Sequence, residues 1–313
     1  MDDPILQRIE REAGLPGLTD VLAERLAPAD LQSLLLAVAQ RRAAARTPAR
    51  LLADWDRDRF VRPSPADPRR LLAWEAAAWR ALPSEFAALT LSPVCPLGTA
   101  SIVAGLSQNL AVTTMRGNEV VSDSTNVLAL ECAVRRRDLL RRNPKSTEAV
   151  HLAASHRLLR TQRFADPKFL AHFEAFALCS AGRDGGRLAF ELSALALHAG
   201  FYAAALRDHL GPDTRVRLSV TPFDPELSER VEAQVLGPLR ATHPGLDCVF
   251  DLERTRGRGY YQDVCFHVHL VPASGDPVEL ADGGSVPWTQ RLLSNAKERL
   301  FISGIGSERV AAF

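Results

Sequence analysis

Apolar positions in the first sixty residues recur at helical spacing, with Leu31, Leu34, Leu35 and Val38 forming one stripe between the breakers Pro28 and Pro48. This pattern predicts short helices. A turn-rich loop, VRPSPADP, follows at 61–68. Asp67 then serves as an N-cap and Pro68 as a first-turn residue for a helix that carries Leu71, Trp74, Ala78 and Leu82 on one face. The chain therefore divides into an N-terminal helical segment over 1–65 and a main domain over 66–313.

Beyond Pro83 the period changes repeatedly. Leu110–Thr114 and Glu119–Val121 read as extended, and Asn126–Arg142 reads as a helix that ends in a basic turn before Asn143 and Pro144. Val150–Ala154, Leu158–Phe164 and Phe169–Leu178 read as strands, and Phe190–Leu210 as a long helix. Val264, Phe266, Val268 and Leu270 alternate with Asp263, Cys265, His267 and His269, so this strand buries one face and leaves the other polar. Strands joined by helices without a regular βαβ rhythm predict an α+β domain with a largely antiparallel sheet.

Composition narrows the picture. With 313 residues, 46% of them hydrophobic, the chain has enough apolar material for a large core. Its 38 basic residues face 37 acidic ones, so no global field points to nucleic acid or to a membrane surface. Five scattered cysteines, none in CxxC spacing, argue against a disulfide framework or a structural zinc and suit a reducing cytoplasm. The N-terminus is charged from its second residue, and no apolar run is expected to span a bilayer. GxxxxGK[ST], GxSxG and HExxH are all absent. His267 and His269 share a strand face and could ligate a metal, but no third ligand is evident in sequence, so no metal is assigned. Arg135, Arg136 and Arg137 sit where a helix dipole favours cations.

Four segments carry chemistry in a recognisable order. Leu91-Ser-Pro93 follows the first main-domain helix. Val121-Ser-Asp123-Ser-Thr125 opens the Asn126 helix, placing a carboxylate and a hydroxyl where they could grip a cation or simply cap the helix. His156-Arg-Leu-Leu-Arg160-Thr-Gln162-Arg163 leads through Lys168 to Phe173 and Phe176. Arg256-Gly-Arg258-Gly-Tyr260-Tyr261, Asp282-Gly283-Gly284 and Gly304-Ile-Gly306-Ser-Glu308-Arg309 complete the set.

Together these segments resemble the three motifs of the class II aminoacyl-tRNA synthetase core, nearest to the histidyl branch, over roughly Asp67 to Phe313. The resemblance implies a synthetase-like antiparallel sheet flanked by helices, and a homodimer built on the first segment. Asp123 and Thr125 would hold an α-ammonium group. Arg160 would hold the α-phosphate and substrate carboxylate, with Lys168 as a second loop cation and Arg256 assisting. Tyr260, Tyr261, Gly283 and Gly284 would line the acyl-side pocket. Gly304, Gly306, Glu308 and Arg309 would meet the nucleotide, with Arg309 on its γ-phosphate. ATP and Mg²⁺ are the implied cofactors.

Departures shape the expected activity. Gln162 replaces the usual glutamate, Ala175 and Cys179 stand where a histidine reader needs polar groups, and Ser285 and Val286 replace an arginine and a tyrosine. The sequence stops four residues after Arg309, so no anticodon-binding domain is expected and tRNA is not the favoured acceptor. The expectation is an ATP-dependent, adenylate-forming enzyme acting on an amino acid or related carboxylate. The alternative is a non-catalytic paralogue resembling the ATP phosphoribosyltransferase regulatory subunit.

Overall fold

The computed structural model describes residues 3–162, 171–272 and 275–313. Its centre is an eight-stranded sheet of β1 (Phe86–Ala88), β4 (Val150–Leu159), β5 (His172–Arg183), β10 (Glu298–Gly306), β9 (Val278–Val286), β8 (Gln262–Leu270), β6 (Val216–Pro222) and β7 (Leu246–Phe250), in that spatial order. Only the two edge pairs, β1 with β4 and β6 with β7, are parallel; the other pairings are antiparallel. Two further strands, β2 (Val94–Pro96) and β3 (Asn118–Val120), form a separate ribbon.

Strand alternation puts a different core on each face of the sheet. On one face Phe176, Leu178, Val220, Phe266, Val268 and Phe301 pack with Leu195, Phe201 and Tyr202 of the Ala189–Leu210 helix and Trp74 of the Pro68–Ala81 helix. On the other, Leu152, Ala177, Cys179, Leu300 and Ile302 pack with Leu128, Ala129 and Cys132 of the Ser124–Arg142 helix. The Ala189–Leu210 helix is long and apolar enough to cross a membrane, which the sequence reading did not anticipate, yet it lies across the sheet with much of its length buried.

Two sets of partnered polar groups cross the core. Arg136 and Glu298, both fully buried, make a bidentate pair at 2.8 and 2.9 Å, and Arg136 also donates to the carbonyls of Ser146 and Glu148. Arg136 is thus an internal anchor of its helix; of its neighbours, Arg135 pairs with Glu131 and Arg137 is exposed. A second string runs from His151 through Ser180 Oγ to His198, and from His198 Nδ1 to Ser303 Oγ, which also accepts from Tyr202. The string joins β4, β5, the long helix and β10.

Two segments differ from their sequence reading. Val150–Leu159 is one continuous strand, because Ser155 and His156 keep their places in the ladder opposite Phe176 and Ala175. Leu110 ends a 3-10 turn rather than beginning a strand. The N-terminal helices Pro4–Ala13, Pro28–Ala44 and Pro48–Arg57 contain no fully buried residue; in the predicted stripe Leu31 and Leu35 are half-buried while Leu34 and Val38 are exposed. The joint after them is tied to the main domain by Arg59, which donates to the carbonyls of Thr161 and Gln162.

Candidate functional site

A cleft of about 1180 Å³ opens on the sheet face that carries the Ser124–Arg142 helix. The short connection after β3 delivers Asp123 as the N-cap of that helix. One carboxylate oxygen accepts from Thr125 N at 2.9 Å and from Thr125 Oγ1 at 2.7 Å. The other is 3.1 Å from Arg160 Nη2, and Arg160 Nε donates to the Ser122 carbonyl at 2.8 Å. Arg160 lies just beyond the end of β4 with its guanidinium 5.2 Å from the Phe173 ring centre. A partly exposed acid and a partly exposed guanidinium therefore stand side by side at the helix N-terminus.

Tyr260 and Tyr261 also line the cleft, edge to face at 5.0 Å, and burial holds both phenols above their ordinary range. Gly304 and Gly306 lie on β10 at the cleft, where an added Cβ would meet nothing nearer than 3.9 and 3.6 Å respectively. Packing does not require them to be glycine; the absent side chains keep the cleft surface low. Gly283 and Gly284 are different. A Cβ at Gly283 would come within 2.5 Å of Ser303 Cβ and 2.6 Å of Phe266, and one at Gly284 within 2.7 Å of the Tyr261 ring. Both are needed for close packing between β9 and its neighbours, and neither lines the cleft.

Glu308 and Arg309 begin the last helical turn and both reach the cleft. Glu308 accepts from Ser64 Oγ at 2.8 Å, from Arg157 at 3.2 Å and from the Glu174 backbone N–H at 3.2 Å. Arg309 Nη1 donates to the Glu279 carbonyl. Burial raises the Glu174 carboxyl above the ordinary carboxylate range. Lys168 lies outside the described residues. Arg256 is exposed and does not line the cleft; the buried guanidinium of that loop belongs to Arg254, 3.2 Å from Asp282 Oδ1 and held by the Arg256 carbonyl. Sequence reasoning passed over Arg254 because its partner is 28 residues away, on a neighbouring strand. Arg70, another wall residue it missed, had a readable signal in its place one turn into the Asp67-capped helix.

No protein-family model and no curated protein matches the sequence. Solved structures do match in fold. An ATP phosphoribosyltransferase regulatory subunit/histidyl-tRNA synthetase from Bacillus halodurans aligns with a TM-score of 0.57 at 14% identity, over 81% of this chain and 83% of that one. Apo histidyl-tRNA synthetase from S. aureus aligns with a TM-score of 0.57 at 14% identity, over 80% of this chain and 66% of that one. A histidine–tRNA ligase subunit from Alicyclobacillus acidocaldarius aligns with a TM-score of 0.56 at 13% identity, over 80% and 94%. The chain has the α+β, class II synthetase-like fold of the histidyl branch, with its mostly antiparallel sheet flanked by helices.

Proposed function

We propose that the cleft binds an α-amino acid or a close zwitterionic analogue, in the manner of a regulatory paralogue of a synthetase core. The observation that carries this reading is the adjacent pair Asp123 and Arg160, presented with Thr125 at a helix N-terminus on the cleft wall. An ammonium group meets the carboxylate and hydroxyl, and a carboxylate meets the guanidinium; charge-assisted hydrogen bonds of this kind are the strong ones. The wall composition fits. Among the described residues it carries Asp67, Asp123, Glu174, Glu279, Asp282 and Glu308 against Arg70, Arg160 and Arg309, a balance better suited to an ammonium-bearing ligand than to a bare triphosphate. Arg256, which resembles the arginine that assists the reacting carboxylate in synthetases, lies outside the cleft.

A second reading is ATP-dependent, Mg²⁺-assisted activation of the same ligand as an adenylate. It is favoured by the open backbone at Gly304 and Gly306 beside Arg309, a surface on which a flat base could lie. Adenylation would then rest on Arg160 and Arg309 as cations already in place for the developing phosphoryl charge. In either reading the assembly is a homodimer, as two-fold symmetry is the commonest arrangement of such cores, and tRNA is not the favoured partner.

Calorimetric titration with the twenty amino acids, with and without ATP, followed by amino-acid-dependent ATP–pyrophosphate exchange, separates the readings. Binding without exchange is the expected result. Exchange would promote the ligase reading, and no binding by any amino acid would overturn both.

A further inference from the structure

β8 and β9 place two histidine–carboxylate pairs side by side on the cleft face of the sheet. In the ladder His267 lies opposite Asp282 and His269 opposite Glu279. The spacing is two residues on β8 and three on β9, because the register shifts by one between Val268 and His269. In an unbroken ladder the residue opposite His269 would be Leu280, which instead packs in the core on the other face. The bulge therefore turns Glu279 onto the same face as Asp282; irregularities of this kind re-aim side chains next to functional sites. Arg309 holds the bulged strand through the Glu279 carbonyl, and Glu279 and Asp282 both line the cleft.

We propose that His267, His269 and Glu279, with Asp282 at the rim, form a binding site for one divalent transition metal of the zinc type. Single ligand atoms of His267, His269 and Glu279 all lie within 4.8 Å of one another. Asp282 Oδ1 and Glu279 Oε2 are each 3.9 Å from His267 Nε2. Ligand atoms around a tetrahedral zinc are roughly 3.3 Å apart, so each has about 1 Å or less to travel, within reach of side-chain rotation. Two imidazoles and a carboxylate are the donor set that suits Zn²⁺, whereas Mg²⁺ takes oxygen ligands and keeps its water.

Two further observations point the same way. Nδ1 of His269 is buried with no hydrogen-bond partner among the described residues, a cost that a metal bond removes. Arg254, its side chain almost fully buried, is 3.2 Å from Asp282 Oδ1, which fixes that carboxylate beside the two rings as an outer partner does in metal centres. The Asp123–Arg160 pair lies on other elements of the same cleft, so metal binding and amino-acid binding are measured separately, although Glu279 and Asp282 contribute to the charge of both.

The test is titration of the full, chelator-treated chain with Co²⁺ and with Zn²⁺ alone. One Co²⁺ per chain, with the intense visible absorption of four-coordinate nitrogen and oxygen ligation and displacement by Zn²⁺, is the expected result. Glu279→Gln, at a partly exposed position, should weaken binding at least about tenfold, and His267→Gln or His269→Gln by about a hundredfold or more, since even outer-shell losses cost 10- to 100-fold. Circular dichroism identifies any variant that fails to fold, and the Glu279 variant keeps the test decisive if a histidine variant does. No Co²⁺ binding by the wild-type chain, the weak pale spectrum of six-coordinate oxygen ligation, or unchanged affinity in folded Glu279→Gln would overturn the assignment.

Discussion

Replacing Glu298 by glutamine should be among the most damaging isosteric changes available in this fold. Arg136 and Glu298 are completely buried and meet through two hydrogen bonds, 2.8 and 2.9 Å long. The amide keeps the shape of the carboxylate but removes its charge and sets an NH2 donor against one guanidinium N–H, leaving a buried cation with only neutral acceptors, the amide oxygen and the Ser146 and Glu148 carbonyls. Unit charges about 4 Å apart attract by about 4 kcal/mol at an effective dielectric constant near 20, and breaking a buried pair by removing one partner costs about 3–5 kcal/mol. A folded domain has about 5–15 kcal/mol in total. Urea unfolding followed by circular dichroism should therefore show Glu298→Gln losing about 3–5 kcal/mol, with the paired change Arg136→Met and Glu298→Leu losing less. A loss under about 1 kcal/mol for the single variant, or a double variant worse than the single, would refute the reasoning. The consequence reaches the site, because this pair anchors to β10 the helix whose first residues present Asp123 and Thr125.

Gly283→Ala should destabilise the chain by about 1–3 kcal/mol through overpacking, since its Cβ would fall 2.5 Å from Ser303 Cβ and 2.6 Å from the Ile302 carbonyl; Gly304→Ala, with its nearest neighbour 3.9 Å away, should be mild in the same melt. An equal effect at both positions would contradict the division drawn between packing glycines and cleft glycines. Burial holds His198 neutral, its pKa well below the ordinary value, while an unfolded histidine titrates near 6.5. Its contribution is fully present above about pH 6.5, and below that the unfolded chain takes up the extra proton, so stability falls by about 1.4 kcal/mol per pH unit. His198→Gln should flatten the unfolding free energy between pH 6.5 and 5.5 by about that slope, and an unchanged slope would count against a neutral buried ring.

Local signals made much of this fold legible. Asp67 with Pro68, and Asp123 with Thr125, mark helix starts that the structure reproduces, because capping depends on neighbours in sequence. The alternation through Val264–Leu270 separated the two faces of β8, but the face read as polar is not left open: Cys265 packs in the second core and His267 is also buried, because a helix and the preceding loop cover that side as well. What could not be read depends on partners far along the chain. Arg136 read as one of three cations favoured by a helix dipole until Glu298, 162 residues on, arrived beside it. Arg254 and Asp282 meet only after β8 and β9 pair, and the bulge that turns Glu279 toward His269 is a property of the ladder, not of either strand alone. Gly283 and Gly284, read as substrate contacts, owe their identity to Phe266 and Tyr261 packed against them.

The measurement that tests the central claim most directly is a calorimetric comparison of three ligands: the best-binding amino acid, its amine without the carboxylate, and its carboxylate without the amine. Asp123→Asn is run alongside, because asparagine preserves the helix cap while removing the charge. The account predicts that only the zwitterion binds well, and that Asp123→Asn loses about 1.5–3 kcal/mol, ten- to a hundredfold, with its melting temperature little changed. Equal binding of all three ligands, or full affinity in the folded Asp123→Asn variant, would contradict it.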